Sequence, residues 1–339
     1  LLEGIKSGIG GKRMTTKSEP KFFYEILRIL DNARVGNKAA IAQEAEKIAI
    51  KFEKKGMSDR AERLRIRSKR LASGSKQLEY LSSATEQLGF ELFQPSESEE
   101  KSRQFVPNEE NKIVIDEIIQ IVRKKEMFWE EEVPIPNKTI MFGPPGTGKT
   151  ISAHYISSAL DLPLILVRLD AIIDSALGGT AKNIRKIFDL ANKQPCVLFL
   201  DEFDAIANHR KSLNGNDVGN EMKRVVNSLL QNLDALNDEC MLFAATNLDE
   251  EIDPAIWRRF HNRMYFRAPN EEELLTYLFS KTEFQSLLIY EIAPTLLGKS
   301  FSEIEIILNK ARTKCILRSE PLSKQVIVEA LEENIAQQV

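Results

Sequence analysis

The sequence predicts an α/β protein: a parallel sheet covered by helices on both faces, preceded by a small helical module and followed by an all-helical domain. Three observations predict it. From Asn111 to about Pro269, short continuous apolar runs alternate with amphipathic stretches, the pattern of strands buried on both faces. Beyond Pro269 only helical periodicities occur. Before Ser73 the apolar residues also recur at helical spacing.

The elements follow in chain order. Leu1 to Lys12, "LLEGIKSGIGGK", is glycine-rich and precedes Met14, so residues 1–19 read as a tail, floppy or left over from expression, outside the fold. Residues 20–75 read as three helices, with apolar faces at Phe23, Ile26, Leu27 and Leu30, at Ala42, Ala45, Ile48, Ala49 and Phe52, and at Ala61, Leu64 and Leu71, separated by "DNARVGN" and "KKGMSD". Residues 76–110 contain "QPSESEEKS" and read as a polar, mobile linker. In residues 111–268 the strands are "KTIMFG", "LPLILVRLD", "PCVLFLDEFD" and "CMLFAATN", and helices lie between them. Residues 269–339 carry the helical patterns "EEELLTYLFSKT", "SEIEIILNKARTKCILRS" and "SKQVIVEALEENI".

Composition narrows the function classes. The chain has 339 residues, enough for two or three domains, and is close to neutral overall. No apolar run reaches the roughly 18 residues of a membrane span, and no apolar leader with a cleavage site begins the chain, so a cytoplasmic protein with no membrane partner is expected. Cys196, Cys240 and Cys315 are far apart, as are His154, His209 and His261, which suggests neither a disulfide framework nor a zinc site. From Lys12 to Ser75 there are 17 basic and 8 acidic residues, ending in "RAERLRIRSKR". That excess fits a solvated helix face or a surface for nucleic acid or an acidic partner; no aromatic residues are interleaved for base stacking, which favours the first.

"GPPGTGKT", comprising Gly143, Pro144, Pro145, Gly146, Thr147, Gly148, Lys149 and Thr150, follows a strand and opens a helix. It matches the phosphate-binding pattern G-x-x-x-x-G-K-[ST]. The glycines let backbone N–H groups turn inward on a β-phosphate, Lys149 reaches the β- and γ-phosphates, and the Thr150 hydroxyl ligates Mg²⁺. In "VLFLDEFD" an apolar strand delivers Asp201 to the Mg²⁺ shell, and Glu202 beside it is placed to activate water as general base. ATP hydrolysis is therefore expected. Asn247, ending "CMLFAATN", is a candidate to orient that water.

With "GPPGTGKT", "FLDEFDAI", "AATN" and "IDPAIWRRFHNRMYF" in this order, the region from about Asn111 to the C-terminus resembles the AAA+ ATPases, specifically the AAA clade containing katanin and spastin. The resemblance implies a P-loop NTPase with a five-stranded parallel sheet and a C-terminal helical lid. It also implies ATP bound between subunits of a homo-oligomeric ring, usually a hexamer. Arg258 and Arg259 fall where the family supplies arginine fingers, which stabilise charge on a neighbour's γ-phosphate and are worth about 10³ or more in rate in related chemistry. Arg263 matches an auxiliary arginine. The lid stretch "GKSFSEIEII" lacks the arginine that other AAA+ clades place near the γ-phosphate. "DEFDAI" followed by "NGNDVGNEMKRVVNSLL" also resembles a bacterial subgroup often encoded beside subtilisin-like proteases and associated with phage defence.

The stretch "LDAIIDSALGGTAKNIRKIF" reads as a strand end, a loop at Ala176-Leu177-Gly178-Gly179 and a basic amphipathic helix. By the resemblance this loop faces a ring's central pore, where unfoldases carry an aromatic residue. Here Ala176 stands in its place, and the contact area of a buried aromatic, on the order of 150 to 250 Å², is missing. Three functions fit the whole: a ring that remodels or unfolds a protein target, working with a protease partner; a nucleotide-controlled assembly switch; and a nucleic-acid-bound ATPase using the basic N-terminal helices. The first is preferred.

Overall fold

The structure is a computed structural model that describes residues 38–54, 56, 61, 64–65, 90–175, 179–205, 217–247, 254–281 and 286–336. The chain divides into two compact units, Leu1–Ser82 and Ser83–Val339. In the first, helix α1 (Lys38–Glu53) buries Ile41, Ala45, Ile48 and Ala49 along one face. Arg65 ties back to it, donating from Nε to Glu46 at 2.9 Å and from Nη2 to Glu53 at 3.0 Å. The other two helices expected over 20–75 fall almost entirely outside the described residues, as does the Ala176-Leu177-Gly178 loop.

The second unit begins with strand β1 (Phe90–Phe93) and helix α2 (Pro95–Ser102), then α3 (Glu109–Arg123), α4 (Lys125–Glu130), β2 (Lys138–Phe142), α5 (Lys149–Leu160), β3 (Leu164–Arg168) and α6 (Leu169–Ser175). It continues with α7 (Thr180–Ala191), β4 (Cys196–Asp201), α8 (Asp217–Asp234), β5 (Cys240–Thr246), α9 (Pro254–Trp257) and β6 (Asn262–Tyr265), and closes with α10 (Glu271–Phe279), α11 (Ser286–Leu296), α12 (Phe301–Arg318) and α13 (Lys324–Ala336). The sheet order is β1-β3-β4-β5-β2-β6. β2 to β6 are the five parallel strands expected. β4 and β5 are buried along almost their whole length, as continuous apolar runs require when helices cover both faces. Ile115, Ile118, Ile156, Phe199 and Phe243 are among the residues that fill the core between sheet and helices.

Two departures concern residues 90–102, which composition places in a mobile linker. They form instead a sixth strand, β1, antiparallel to β3 with Phe90 opposite Val167 and Phe93 opposite Leu164, and the helix α2. The contact that holds α2 is polar: Ser98, fully buried, meets His154 Nδ1 at 3.2 Å and the Ser157 hydroxyl at 3.3 Å on α5. Small serines let two helices approach closely while pairing each other's polar atoms, so a serine-rich, acidic string hides a packed element. α3 then starts at Glu109, capped by Asn108, whose Oδ1 accepts from the Asn111 amide at 2.7 Å.

A third departure lies after β3: the strand ends at Arg168, and Leu169 opens a helix where an extended strand end was expected. The helical domain has its own core, with Leu274, Leu278, Ile292, Ile304, Leu308 and Ile327 among its fully buried members. Capping boxes start α10 (Asn270 with Glu273) and α12 (Ser300 with Glu303). α11 contains Pro294 and has no counterpart in the patterns read from sequence. No helix among the described residues is long and apolar enough to cross a membrane.

Candidate active site

The phosphate loop lies between β2 and α5. Gly143, at φ +134°, sits so close to the backbone just after β6 that an added Cβ would lie 2.0 Å from the Phe266 carbonyl oxygen; any side chain there would push that segment away. Gly146 is held against the helical domain, accepting from the Ser302 amide at 3.1 Å, and a Cβ there would meet Ser302 Cβ at 2.7 Å. Lys149 is buried, and its Nζ donates to the carbonyls of Gly143 (2.7 Å) and Pro144 (2.8 Å). Burial pushes its pKa down to about 8, against the opposing pull of Asp201, Asp204 and Glu202.

β4 delivers the acidic pair. Thr150 Oγ1 donates to Asp201 Oδ2 at 2.9 Å, which brings together the hydroxyl and carboxylate chosen as metal ligands. Asp201 Oδ1 accepts from the Glu202 amide at 3.0 Å. Glu202 has φ +55°, a left-handed conformation uncommon for a residue with a side chain. Its carboxyl is shifted toward the protonated form, first by burial and then by the charges of Asp201, Asp204 and Asp170, with Arg168 opposing. Phe203 is buried, and its amide donates to the Ala245 carbonyl at 2.8 Å, locking the turn after β4 onto β5.

Sequence reasoning missed Asp204. Its Oδ1 accepts from Thr246 Oγ1 at 3.2 Å and from the Asn247 amide at 3.3 Å, so it fixes the strand end that presents Asn247. The second Asp of "DEFD" was the available signal. One cavity of about 490 Å³ is lined by Gly146, Gly148, Lys149, Thr150, Asp201, Glu202 and Asn247, together with Gln104, Phe105 and Val106 and with Tyr277, Phe301, Ser302 and Glu305 of the helical domain.

The arginines lie elsewhere. Neither Arg258 nor Arg259 lines this cavity. Arg259 makes a two-pronged ion pair with Asp234 at the end of α8 and also donates to the Ala255 carbonyl at 2.7 Å. Arg258 is exposed. Arg263 lies over the Trp257 ring at 4.9 Å, a cation–π contact.

The donor set fits a magnesium nucleoside triphosphate. A loop cleared of side chains at two positions and a helix N-terminus suit phosphate. One hydroxyl and one carboxylate suit Mg²⁺, which takes few protein oxygens and completes its shell with water and phosphate. Fold and site together define a P-loop nucleotide-binding domain.

Comparison with known proteins specifies it further. Residues 139–268 match the family described as ATPase family associated with various cellular activities (AAA). That segment thus resembles an AAA ATPase domain, a family whose ligands are ATP and Mg²⁺. The chain is 40% identical over 221 residues to an uncharacterized AAA family ATPase, y4kL, of Sinorhizobium fredii, covering 63% of this chain and 65% of that protein. It is 34% identical over 180 residues to a putative 26S proteasome regulatory subunit homolog of Methanocaldococcus jannaschii, covering 52% of this chain and 46% of that protein. To the ATP-dependent zinc metalloprotease FtsH of Caldicellulosiruptor bescii it is 29% identical over 238 residues, 67% of this chain and 38% of that protein. The chain spans less than two thirds of the length of each.

Proposed function

We propose that this chain is an ATP-hydrolysing subunit of a homo-oligomeric, hexameric ring that remodels or unfolds a protein target. The observation that carries this reading is a division of labour. Lys149, Thr150, Asp201, Glu202 and Asn247 share one cavity, whereas Arg258 is exposed and outside it, as expected if a neighbouring copy supplies the arginine.

The chemistry follows from the residues. The Lys149 ammonium leaves its loop carbonyls for the β- and γ-phosphate oxygens, while Thr150 and Asp201 hold the metal. Bound Mg²⁺ neutralises charge on the phosphates. Glu202, next to Asp201, takes the proton of the attacking water as general base. Asn247, set by Asp204 through its backbone, orients that water. Arg258 of an adjacent copy stabilises the charge developing on the γ-phosphate.

The relatives named as proteasome regulatory subunits and as FtsH favour a protein substrate. A subtilisin-like protease as the partner, and a role in phage defence, rest on the resemblance of "DEFDAI" and "NDVG" alone. The missing aromatic at Ala176 favours a second reading, an assembly switch that grips no polypeptide. Turnover measured with and without an unfolded protein decides between them: stimulation by substrate is expected, and turnover that follows assembly alone would overturn the proposal.

A further inference from the structure

We propose that α7 and the adjoining part of α8 form a cationic face that engages acidic, extended segments of a protein target. This rests on the protein-remodelling reading above and names the class of target. The second unit is acidic as a whole, with 40 Asp and Glu against 28 Lys and Arg between Ser83 and Val339. α7 runs against that balance. It buries Ile184, Ile187, Phe188 and Leu190 on one side and turns Lys182, Arg185 and Lys186 to solvent on the other, with Asp189 as its one exposed acid. α8 packs along it, the Ser228 hydroxyl donating to the Ala181 carbonyl at 3.5 Å, and one turn before Ser228 it presents Arg224, also exposed.

None of these four cations forms an ion pair with a described residue; even Asp189, one turn on from Arg185, joins neither it nor Lys186. Arg168, Arg259 and Arg318, by contrast, are each held by a carboxylate of their own subunit. A charge left unpaired by its own subunit attracts an opposite one without breaking an internal pair. The spacing suits an extended chain. At 1.5 Å of rise per residue, Lys182 and Lys186 stand about 6 Å apart along α7, and side chains on one face of an extended chain recur about every 6.6 Å. Carboxylates at alternate positions therefore match the two lysines, with Arg185 between them. Nucleic acid is the other extended polyanion, but sites for single strands add aromatic side chains on which bases stack. The exposed residues of α7 are all charged, and its one aromatic, Phe188, is buried. α7 also begins directly after Ala176-Leu177-Gly178-Gly179, which carries no aromatic side chain, so the chain here offers a target charge rather than apolar area.

The experiment is fluorescence anisotropy of labelled peptides of about 20 residues, alternating Glu–Ser, Gln–Ser or Lys–Ser, added to the full chain with Mg²⁺ and the β,γ-imido analogue of ATP. The Glu peptide is expected to bind about 10-fold or more tightly than the Gln peptide, the Lys peptide most weakly, and the preference should shrink as salt rises from about 0.05 to about 0.3 M. Arg185→Glu combined with Lys186→Glu changes two exposed, unpaired residues outside the nucleotide cavity. It should lower affinity for the Glu peptide about 10-fold or more and make the Lys peptide the tighter binder, an inversion that a merely structural role would not produce. Arg224→Ala should cost about 2- to 5-fold. Equal binding of the Glu and Gln peptides, a double variant that keeps the parent's order, or single-stranded DNA of similar length binding more tightly than the Glu peptide would each overturn the inference. If an unfolded neutral protein stimulates ATP turnover while the Glu peptide shows no preference, this inference falls and the remodelling reading stands. Charge-dependent peptide binding with no stimulation of turnover by any unfolded protein would instead overturn the remodelling reading and leave the face as a site for acidic segments.

Discussion

Arg259 and Asp234 form a two-pronged ion pair, Nε to Oδ1 at 2.8 Å and Nη2 to Oδ2 at 2.9 Å. It ties the turn after α9 to the end of α8, whereas the adjacent Arg258 is exposed. The predicted consequence is that Asp234→Asn and Arg259→Ala each lower ATP turnover about 5- to 10-fold by loosening the turn that carries Arg258. The double variant should be no worse than either single one. Unfolding temperature should barely move, since an exposed pair contributes only about 0–1 kcal/mol. Additive losses in a turnover cycle would mean that the two residues act separately.

Glu202→Gln should bind ATP about as tightly as the parent and hydrolyse it at least about 10²-fold more slowly, because it keeps the Thr150–Asp201 contact and loses the base. Affinity and turnover measured on one preparation check this, and near-normal turnover would remove Glu202 from the base role.

Much of this site was legible because its chemistry is local. A loop that cradles phosphate needs its glycines, Lys149 and Thr150 within eight residues between a strand and a helix, so a short string carries the whole device. Where the determinant is a tertiary contact, the string is silent. Arg258 and Arg259 are neighbours of one residue type, and the string does not show that Asp234, 25 residues back, pairs with the second of them. Residues 90–102 were hidden because α2 docks through serines rather than an apolar stripe. β6 has one buried residue, Met264, among four, too few for a periodic signal, and it was foreseen only through the family resemblance.

Lys149 predicts a pH effect on binding. Its pKa is depressed to about 8 by burial, so the ammonium that meets phosphate is lost in the free protein as pH rises through that value. ATP affinity should fall from pH 7.5 to 9, and Lys149→Arg, whose charge persists, should flatten the dependence even if it binds more weakly. A parent profile flat across that range would contradict the assignment.

His154 predicts an acid sensitivity. It is buried between α2 and α5, and burial followed by the Lys101 charge lowers its pKa to about 4. The unfolded chain takes up this proton near pH 6.5 and the folded one only near 4, so stability is lost as pH falls through that window, by up to about 2 kcal/mol between 6.5 and 5. Denaturant unfolding at the two pH values should show the loss in the parent and a smaller one in His154→Gln; equal losses would place the sensitivity elsewhere.

The central claim is that the hydrolytic site is completed by Arg258 of a neighbouring copy, and mixing two inactive variants tests it most directly. Glu202→Gln lacks the base and Arg258→Ala lacks the arginine. In a mixed ring, some interfaces pair an intact Glu202 with an intact Arg258. ATP turnover of the mixture should exceed that of either variant alone and peak at an intermediate ratio. Mixed rings demonstrated by co-purification of two tags, with turnover no higher than the sum of the separate variants, would contradict the account.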